Sequence, residues 1–278
     1  MLEKCVINLF LIGPSKVGST TIWENLIRHP EIDPARKLNV PIKEPCFFSN
    51  SEYNKYQKKT NSFYENSKAA YRIDASTLYF MTFNAAPRIA KHCGNDTKYV
   101  CVLRDPVERF VSAYRHNRAL YVIRNNEILL REYVKNCSWR SQFENQLGDT
   151  FEGFKVPFDN LKFHLFRRDQ IAQSVRVGNY YKGVKRLVDN FGRDNILFVR
   201  YQDFKQDNKK VYDNILQFLG LDDFDFELDW KSNSASEWSK YYDGLSELNQ
   251  QMLNELHEFY EPGIAELEEF LSMDMEWN

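Results

Sequence analysis

The stretch Gly13-Pro14-Ser15-Lys16-Val17-Gly18-Ser19-Thr20 constrains the fold more than any other part of this 278-residue chain. It follows an apolar run at residues 6–12, the length of a buried strand. It precedes residues 19–28, where Ile22, Trp23, Leu26 and Ile27 recur at helical spacing. Strand, glycine loop and helix in that order open an α/β unit. Backbone N–H groups and the positive end of the helix dipole converge on such a loop and favour an anion there. The glycines allow close backbone approach, Ser19 and Thr20 add hydroxyls, and Lys16 adds a full charge.

The same grammar recurs downstream. Residues 98–103 and 195–200 are further strand candidates, with 71–73 a weaker one. Residue 103 is followed by Arg104-Asp105-Pro106, and Pro suits the first turn of a helix. That helix is expected to run to about residue 118, with Val107, Phe110, Val111 and Tyr114 toward the core and Arg109, Ser112 and His116 on another face. Residues 180–191 and 208–219 are helical, the second stopping at Gly220, and 245–260 with 263–271 form a closing helical pair. Segments 37–67 and 117–176 fit neither pattern; with 222–240 they are expected to shape a cleft. Alternating strands and helices predict an α/β, three-layer, P-loop-like fold with a central parallel sheet flanked by helices. No repeat or linker divides the chain, so residues 1–278 are expected to form a single domain.

Composition removes several classes. With 37 basic and 39 acidic residues the chain has no general attraction for nucleic acid or anionic membrane. Any anion must be met by a local cluster of donors. Five scattered cysteines, Cys5, Cys46, Cys93, Cys101 and Cys137, lack metal-ligand spacing and suggest buried thiols. No run approaches the ~20 apolar residues of a membrane span, and residues 6–12 are too short for a signal peptide. The expectation is a soluble, cytoplasmic protein.

The first loop reads G-x-x-x-x-G-S-T, where an ATP-binding P-loop has lysine directly after the second glycine. A transferring phosphoryl group carries about two negative charges and recruits Mg²⁺. A sulfuryl group carries about one, so a single lysine inside the loop suffices without a metal. Arg104, at a strand end beside a helix N-terminus, offers a second anion site with bidentate geometry, and Ser112 lies eight residues on. Two anion sites at neighbouring strand ends suit a ligand with phosphates at both ends.

These residues carry a family resemblance. Gly13 to Thr21 resembles the 5′-phosphosulfate loop of sulfotransferases that use 3′-phosphoadenosine 5′-phosphosulfate (PAPS). Leu103-Arg-Asp-Pro-Val-Glu-Arg-Phe-Val-Ser-Ala-Tyr114 resembles their 3′-phosphate motif. The blocks Arg28-His-Pro30, Lys43-Glu-Pro-Cys-Phe-Phe48, Arg72 to Phe80, Gly178-Asn-Tyr180, Asn195 to Phe204 and Phe259-Tyr-Glu-Pro262 keep the family order. The chain is most similar to the Golgi-type carbohydrate enzymes that act on heparan sulfate.

The resemblance implies in-line transfer of a sulfuryl group from PAPS to a hydroxyl or amine, with carbohydrate the leading acceptor and 3′,5′-ADP the product. It implies that Ser15, Lys16, Val17, Gly18, Ser19, Thr20 and Thr21 hold the 5′-phosphosulfate, with Lys16 at the leaving oxygen. Arg104 and Ser112 would hold the 3′-phosphate, and Tyr180 would lie near the nucleotide. For the base, the resemblance points to Asp74, where the family has Glu, with Glu44 second and His116 third. Against these stand plainer readings: Asp74 capping the following turn, and Glu44 pairing with Lys43. Ala75 replaces a family lysine, and no basic, glycine-containing loop is evident near the C-terminus. Two other functions compete: a P-loop small-molecule kinase, and a non-catalytic module that binds nucleotide or glycan.

Overall fold

The computed structural model describes residues 5–50, 53, 60–124, 174–226, 248 and 250–277. They fold as two compact units, one of residues 1–105, 181–232 and 275–278, the other of 106–180 and 233–274.

The first unit holds a six-stranded sheet. Its strands are β1 (Leu9–Ile12), β2 (Ile32–Lys37), β3 (Val40–Ile42), β4 (Tyr71–Asp74), β5 (Lys98–Leu103) and β6 (Ile196–Arg200), in the order β3-β2-β4-β1-β5-β6. All neighbours are parallel except β2 and β3. β1 is paired on both edges, Leu9 facing Ile73 and Lys98, which is why all four of its residues are apolar and buried.

Alternation along β1 separates two layers of side chains. Leu9 and Leu11 join Val100, Val102 and Ile73 in a core closed by α1 (Ser19–Leu26) through Ile22 and Leu26. Two later helices are α6 (Tyr201–Gln206) and α7 (Asn208–Leu219), and α7 closes the same core through Val211, Ile215 and Leu216. Phe10 faces the other way, stacked on Tyr99 at 5.5 Å, with Tyr99 stacked on Phe191 at 3.9 Å. Phe191 ends α5 (Tyr181–Phe191), and Gly183 of that helix lies against Phe80. Phe80 belongs to α2 (Leu78–Met81), and α3 (Ala85–His92) follows it. Helices thus cover both faces, as the three-layer expectation required.

β2 and β3 differ from the sequence reading, which had no strand between residues 12 and 71. Ile-Asp-Pro-Ala-Arg-Lys is polar and contains Pro34. Its first half pairs with β4 and its second half with β3, so the missing proline N–H does not interrupt a two-sided ladder.

In the second unit, α4 (Pro106–Arg124) and α8 (Gln250–Leu271) pack through Val107, Phe110, Tyr114, Leu256 and Tyr260 around Val175. Arg109 was expected on a face away from the core. It is 1% exposed and donates to the carbonyl of Ser174. The closing pair of helices is one continuous helix with Pro262 inside it. Leu256, Tyr260, Gly263, Leu267 and Leu271 form one buried stripe across the proline, which itself faces solvent. Tyr260 donates to the Val175 carbonyl at 2.8 Å, and Gly263 leaves room for Asn179. Burial of that stripe outweighs the lost hydrogen bond. A helix-interior proline costs roughly 3 kcal/mol relative to alanine. Pro262→Ala is therefore expected to raise unfolding stability by about 1–3 kcal/mol, measured by urea denaturation; unchanged or lower stability would show that the helix is already bent to suit the ring.

Candidate active site

β1 is where the sheet changes direction: β4 and β2 lie to one side, β5 and β6 to the other. A crevice opens at the carboxyl ends of strands at such a switch point, and the loop 13–18 lies there. Its backbone is tightly held. A β-carbon on Gly13 would lie 2.5 Å from the Val102 carbonyl oxygen. Gly18 has φ +81°, and a β-carbon there would lie 2.5 Å from the Tyr201 ring. Lys16 also takes a left-handed conformation, φ 74°, which a non-glycine residue adopts only under constraint. Gly18 begins α1 with no side-chain cap and no acidic residue in the first turn. The helix dipole is therefore uncompensated where Ser19, Thr20 and Thr21 begin the helix. Ser15 and Lys16 are half-buried, and Val17 anchors the loop in the core.

Arg104, just past β5, is joined to this loop. Its Nη1 donates to the Lys16 carbonyl at 3.2 Å, and its guanidinium lies over the Tyr201 ring at 4.6 Å. These two contacts fix the plane of the fork. Ser112, on α4, and Tyr180 belong to the second unit; Ser112 is half-buried and Tyr180 is 1% exposed. His116 on the same helix is half-buried.

The two candidate bases occupy different environments. Asp74 ends β4 and is 0% exposed. One oxygen accepts from the Ser76 N–H at 3.0 Å and the Ser76 hydroxyl at 2.6 Å, the other from the Tyr79 hydroxyl at 2.7 Å. The turn-capping reading is the one realised, and the carboxyl, unlike that of Glu44, has no exposed surface. Glu44 is 21% exposed at its side chain. Its Oε1 accepts from Lys43 Nζ at 2.7 Å and its Oε2 from the Thr77 hydroxyl at 3.1 Å. Lys43 also donates to Ser19 Oγ, at 3.2 Å. Glu44 is therefore both an ion-pair partner and a solvent-reachable carboxylate one ammonium away from the first turn of α1.

Sequence reasoning missed Tyr201 and treated Lys43 only as a partner for Glu44. Both lie in blocks that keep the family order, but their contacts run across long sequence separations, which the blocks alone do not show. Residues 125–173 and 227–240, which make up most of the expected cleft walls, lie outside the described residues. Among the described residues no helix is long and apolar enough to cross a membrane.

Residues 7–266 match the family model described as the sulfotransferase domain. A bifunctional heparan sulfate N-deacetylase/N-sulfotransferase 1 of Caenorhabditis briggsae is 24% identical over 81% of the chain. The chain spans about a quarter of the length of this relative and of two further heparan sulfate N-deacetylase/N-sulfotransferases, from Mus musculus and Caenorhabditis elegans. The membrane-associated sulfotransferase kil1 of Dictyostelium discoideum is 23% identical over 98% of the chain and 67% of its own length. The crystal structure of a sulfotransferase from Alicyclobacillus acidocaldarius shares the fold, with 21% identity, 96% of each chain covered and a TM-score of 0.64.

Asp74 leaves a measurable mark even without touching substrate. Burial holds its carboxyl up at about 7, against the opposing pull of the Ser76 and Tyr79 hydrogen bonds, with the nearby Glu44 charge adding to the rise. Between the ordinary carboxylate value of about 4 and about 7, the folded chain keeps a proton that the unfolded chain releases. The stability this group contributes is complete below that window and falls as pH rises through it. Asp74→Asn resembles the protonated carboxyl and does not titrate. The variant is expected to gain on wild type by on the order of 4 kcal/mol between about pH 4 and pH 8, read by denaturation across that range. A pH-independent difference would mean that Asp74 is ionised in the fold throughout.

Proposed function

Because the chain belongs to the sulfotransferase domain family, we propose that it transfers a sulfuryl group from PAPS to a hydroxyl or amine of a carbohydrate, with Glu44 as the base. The observation that carries this assignment of the base is the pair of bonds made by Lys43 Nζ, to Ser19 Oγ and to Glu44. They put a partly exposed carboxylate beside the anion-binding loop, whereas Asp74 is sealed in the core. The heparan sulfate relatives support carbohydrate as the acceptor class. The family match runs through both compact units, which supports reading residues 1–278 as one sulfotransferase domain.

PAPS supplies a sulfuryl group bonded to a good leaving phosphate. The strained loop and the uncapped first turn of α1 offer backbone N–H groups to the 5′ end. Lys16 balances charge on the oxygen that leaves with 3′,5′-ADP. Arg104, its plane fixed by Tyr201 and the Lys16 carbonyl, presents its guanidinium to the 3′-phosphate. Ser112 and Tyr180 keep the nucleotide roles that the family resemblance implies. The acceptor oxygen or nitrogen attacks sulfur as the bond from sulfur to the phosphate oxygen breaks, and the acceptor proton passes to Glu44. No metal is required by this charge balance. The kinase alternative lacks support, since Ser19 stands where its lysine belongs and the family matched transfers sulfate.

Calorimetric titration tests the donor assignment. Wild type is expected to bind 3′,5′-ADP without metal and in preference to 5′-AMP and to ATP with Mg²⁺. Arg104→Ala is expected to weaken 3′,5′-ADP by roughly 10–100-fold, the loss of charge-assisted hydrogen bonds. Preference for ATP with Mg²⁺ would return the kinase reading. For the base, Glu44→Gln is expected to lower kcat by roughly 10²–10⁴, using labelled PAPS and de-N-sulfated heparan sulfate, while 3′,5′-ADP affinity stays within about threefold. A Glu44→Gln enzyme that turns over like wild type would remove Glu44 from the role.

A further inference from the structure

Lys43 is a buried cation to which the mechanism above gives no role of its own. Its side chain is 2% exposed. Its Nζ has three donors and three acceptors around it: Glu44 Oε1 at 2.7 Å, Ser19 Oγ at 3.2 Å and the Ala75 carbonyl at 3.4 Å. Its backbone is also fixed, with its carbonyl accepting from the Ala75 N–H at 3.1 Å. The ammonium is thereby clamped to the end of β4 while it reaches both α1 and Glu44. Withdrawing a charge from water is costly, and a partly exposed carboxylate repays it incompletely. A methionine would fill the same space without that cost.

The geometry around Ser19 shows what the charge does. A hydroxyl has one proton and two lone pairs. An ammonium can only donate, so at 3.2 Å it takes a lone pair of Ser19 Oγ and cannot receive the hydroxyl proton. The Ser19 proton is left to point elsewhere, and Ser19 is the first residue of α1, at the mouth of the anion-binding loop. The same ammonium holds one Glu44 oxygen while Thr77 holds the other. Glu44 is then oriented as an acceptor on both sides.

We propose that Lys43 is a positioning residue that couples the two halves of the reaction. It commits the Ser19 hydroxyl to donating toward the bound 5′-phosphosulfate and fixes the Glu44 carboxylate for the acceptor. The Glu44 half rests on the assignment of Glu44 as base; the Ser19 half does not.

The test is a pair of double-mutant cycles with thermal denaturation as a control for folding. In the first, 3′,5′-ADP binding is measured by calorimetry for Lys43→Met, Ser19→Ala and the double variant. Each single change is expected to raise Kd by about five- to tenfold, and the double to be no more than about twofold worse than either single. In the second, turnover of labelled PAPS with de-N-sulfated heparan sulfate is measured for Lys43→Met, Glu44→Gln and their combination. Lys43→Met is expected to lower kcat at least 100-fold, with no further loss when combined with Glu44→Gln. Lys43→Gln, which keeps N–H donors without the charge, is expected to recover part of the binding.

Unchanged Kd and kcat in Lys43→Met would overturn the proposal. So would additive losses in the first cycle that track a falling melting temperature, because a purely structural lysine gives that pattern. If Glu44→Gln turns over like wild type, the base assignment fails, and the binding cycle still decides the Ser19 half.

Discussion

The carbonyl oxygen of Val102 occupies the space where Gly13 would carry a side chain, and the Tyr201 ring does the same at Gly18. Between these two contacts the chain has to leave β1, turn and enter α1 within a few residues, and Lys16 is driven into a left-handed conformation on the way. Such a backbone stores strain of about 1–3 kcal/mol at the residue. It persists because β1 is locked by parallel pairing on both edges and α1 is locked by Ile22 and Leu26 in the core. A rigid sheet interior thus holds N–H groups and a lysine at a fixed crevice, ready for an anion before one arrives.

The two buried ionisable groups nearest that crevice on the β4 side, Asp74 and Lys43, are compensated in different ways, by hydrogen bonds and by an opposite charge. Asp74 takes the first course, with Ser76 and Tyr79 around it and burial raising its carboxyl toward neutrality. Lys43 takes the second, with Glu44. The two carboxylates sit on neighbouring segments and are tied into the same turn, since Ser76 also receives the Cys46 N–H and Thr77 donates to Glu44. Asp74 therefore acts as the post on which the Glu44 segment is mounted. An aspartate fits that post because its short side chain reaches back to its own turn at Ser76.

The elements legible in the sequence were those whose local pattern and tertiary environment agree. β5 was read to its observed limits because all but its first residue are apolar and buried. α7 was read to its limits because Val211, Ile215 and Leu219 keep helical spacing and Gly220 closes it with φ +66°. β2 was not legible, because its strand character comes from partners on each side rather than from its own residues. Nor was the unbroken α8, where burial on both sides of Pro262 overrides the local signal. In the site, the loop and Arg104 stand out from sequence because their chemistry is local to one strand end each. The choice between Asp74 and Glu44 depended on which carboxylate the fold would seal, and no spacing rule carries that information. A five-residue pattern around Asp74 cannot show that Tyr79 folds back onto it.

Tyr201 shows how far the site's support extends from the motif. It touches Gly18 on one side and carries the Arg104 guanidinium on the other, so it sets the spacing between the loop and the arginine. It begins α6, and that helix is held by residues far along the chain. Arg200, just before it, pairs with Asp203 at 2.8 Å and with Glu276 at 3.0 Å, and Trp277 donates to Gln202 at 3.3 Å. Met275, between them and the end of α8, is fully buried. Partly exposed ion pairs of this kind contribute little singly. Joined to a buried methionine and an indole hydrogen bond, they fix the direction of a six-residue helix too short to be stable alone. The plane of the Arg104 fork is thus determined by a chain of contacts running from the anion crevice to residues 275–277, and the helix that bears Tyr201 is the link between them.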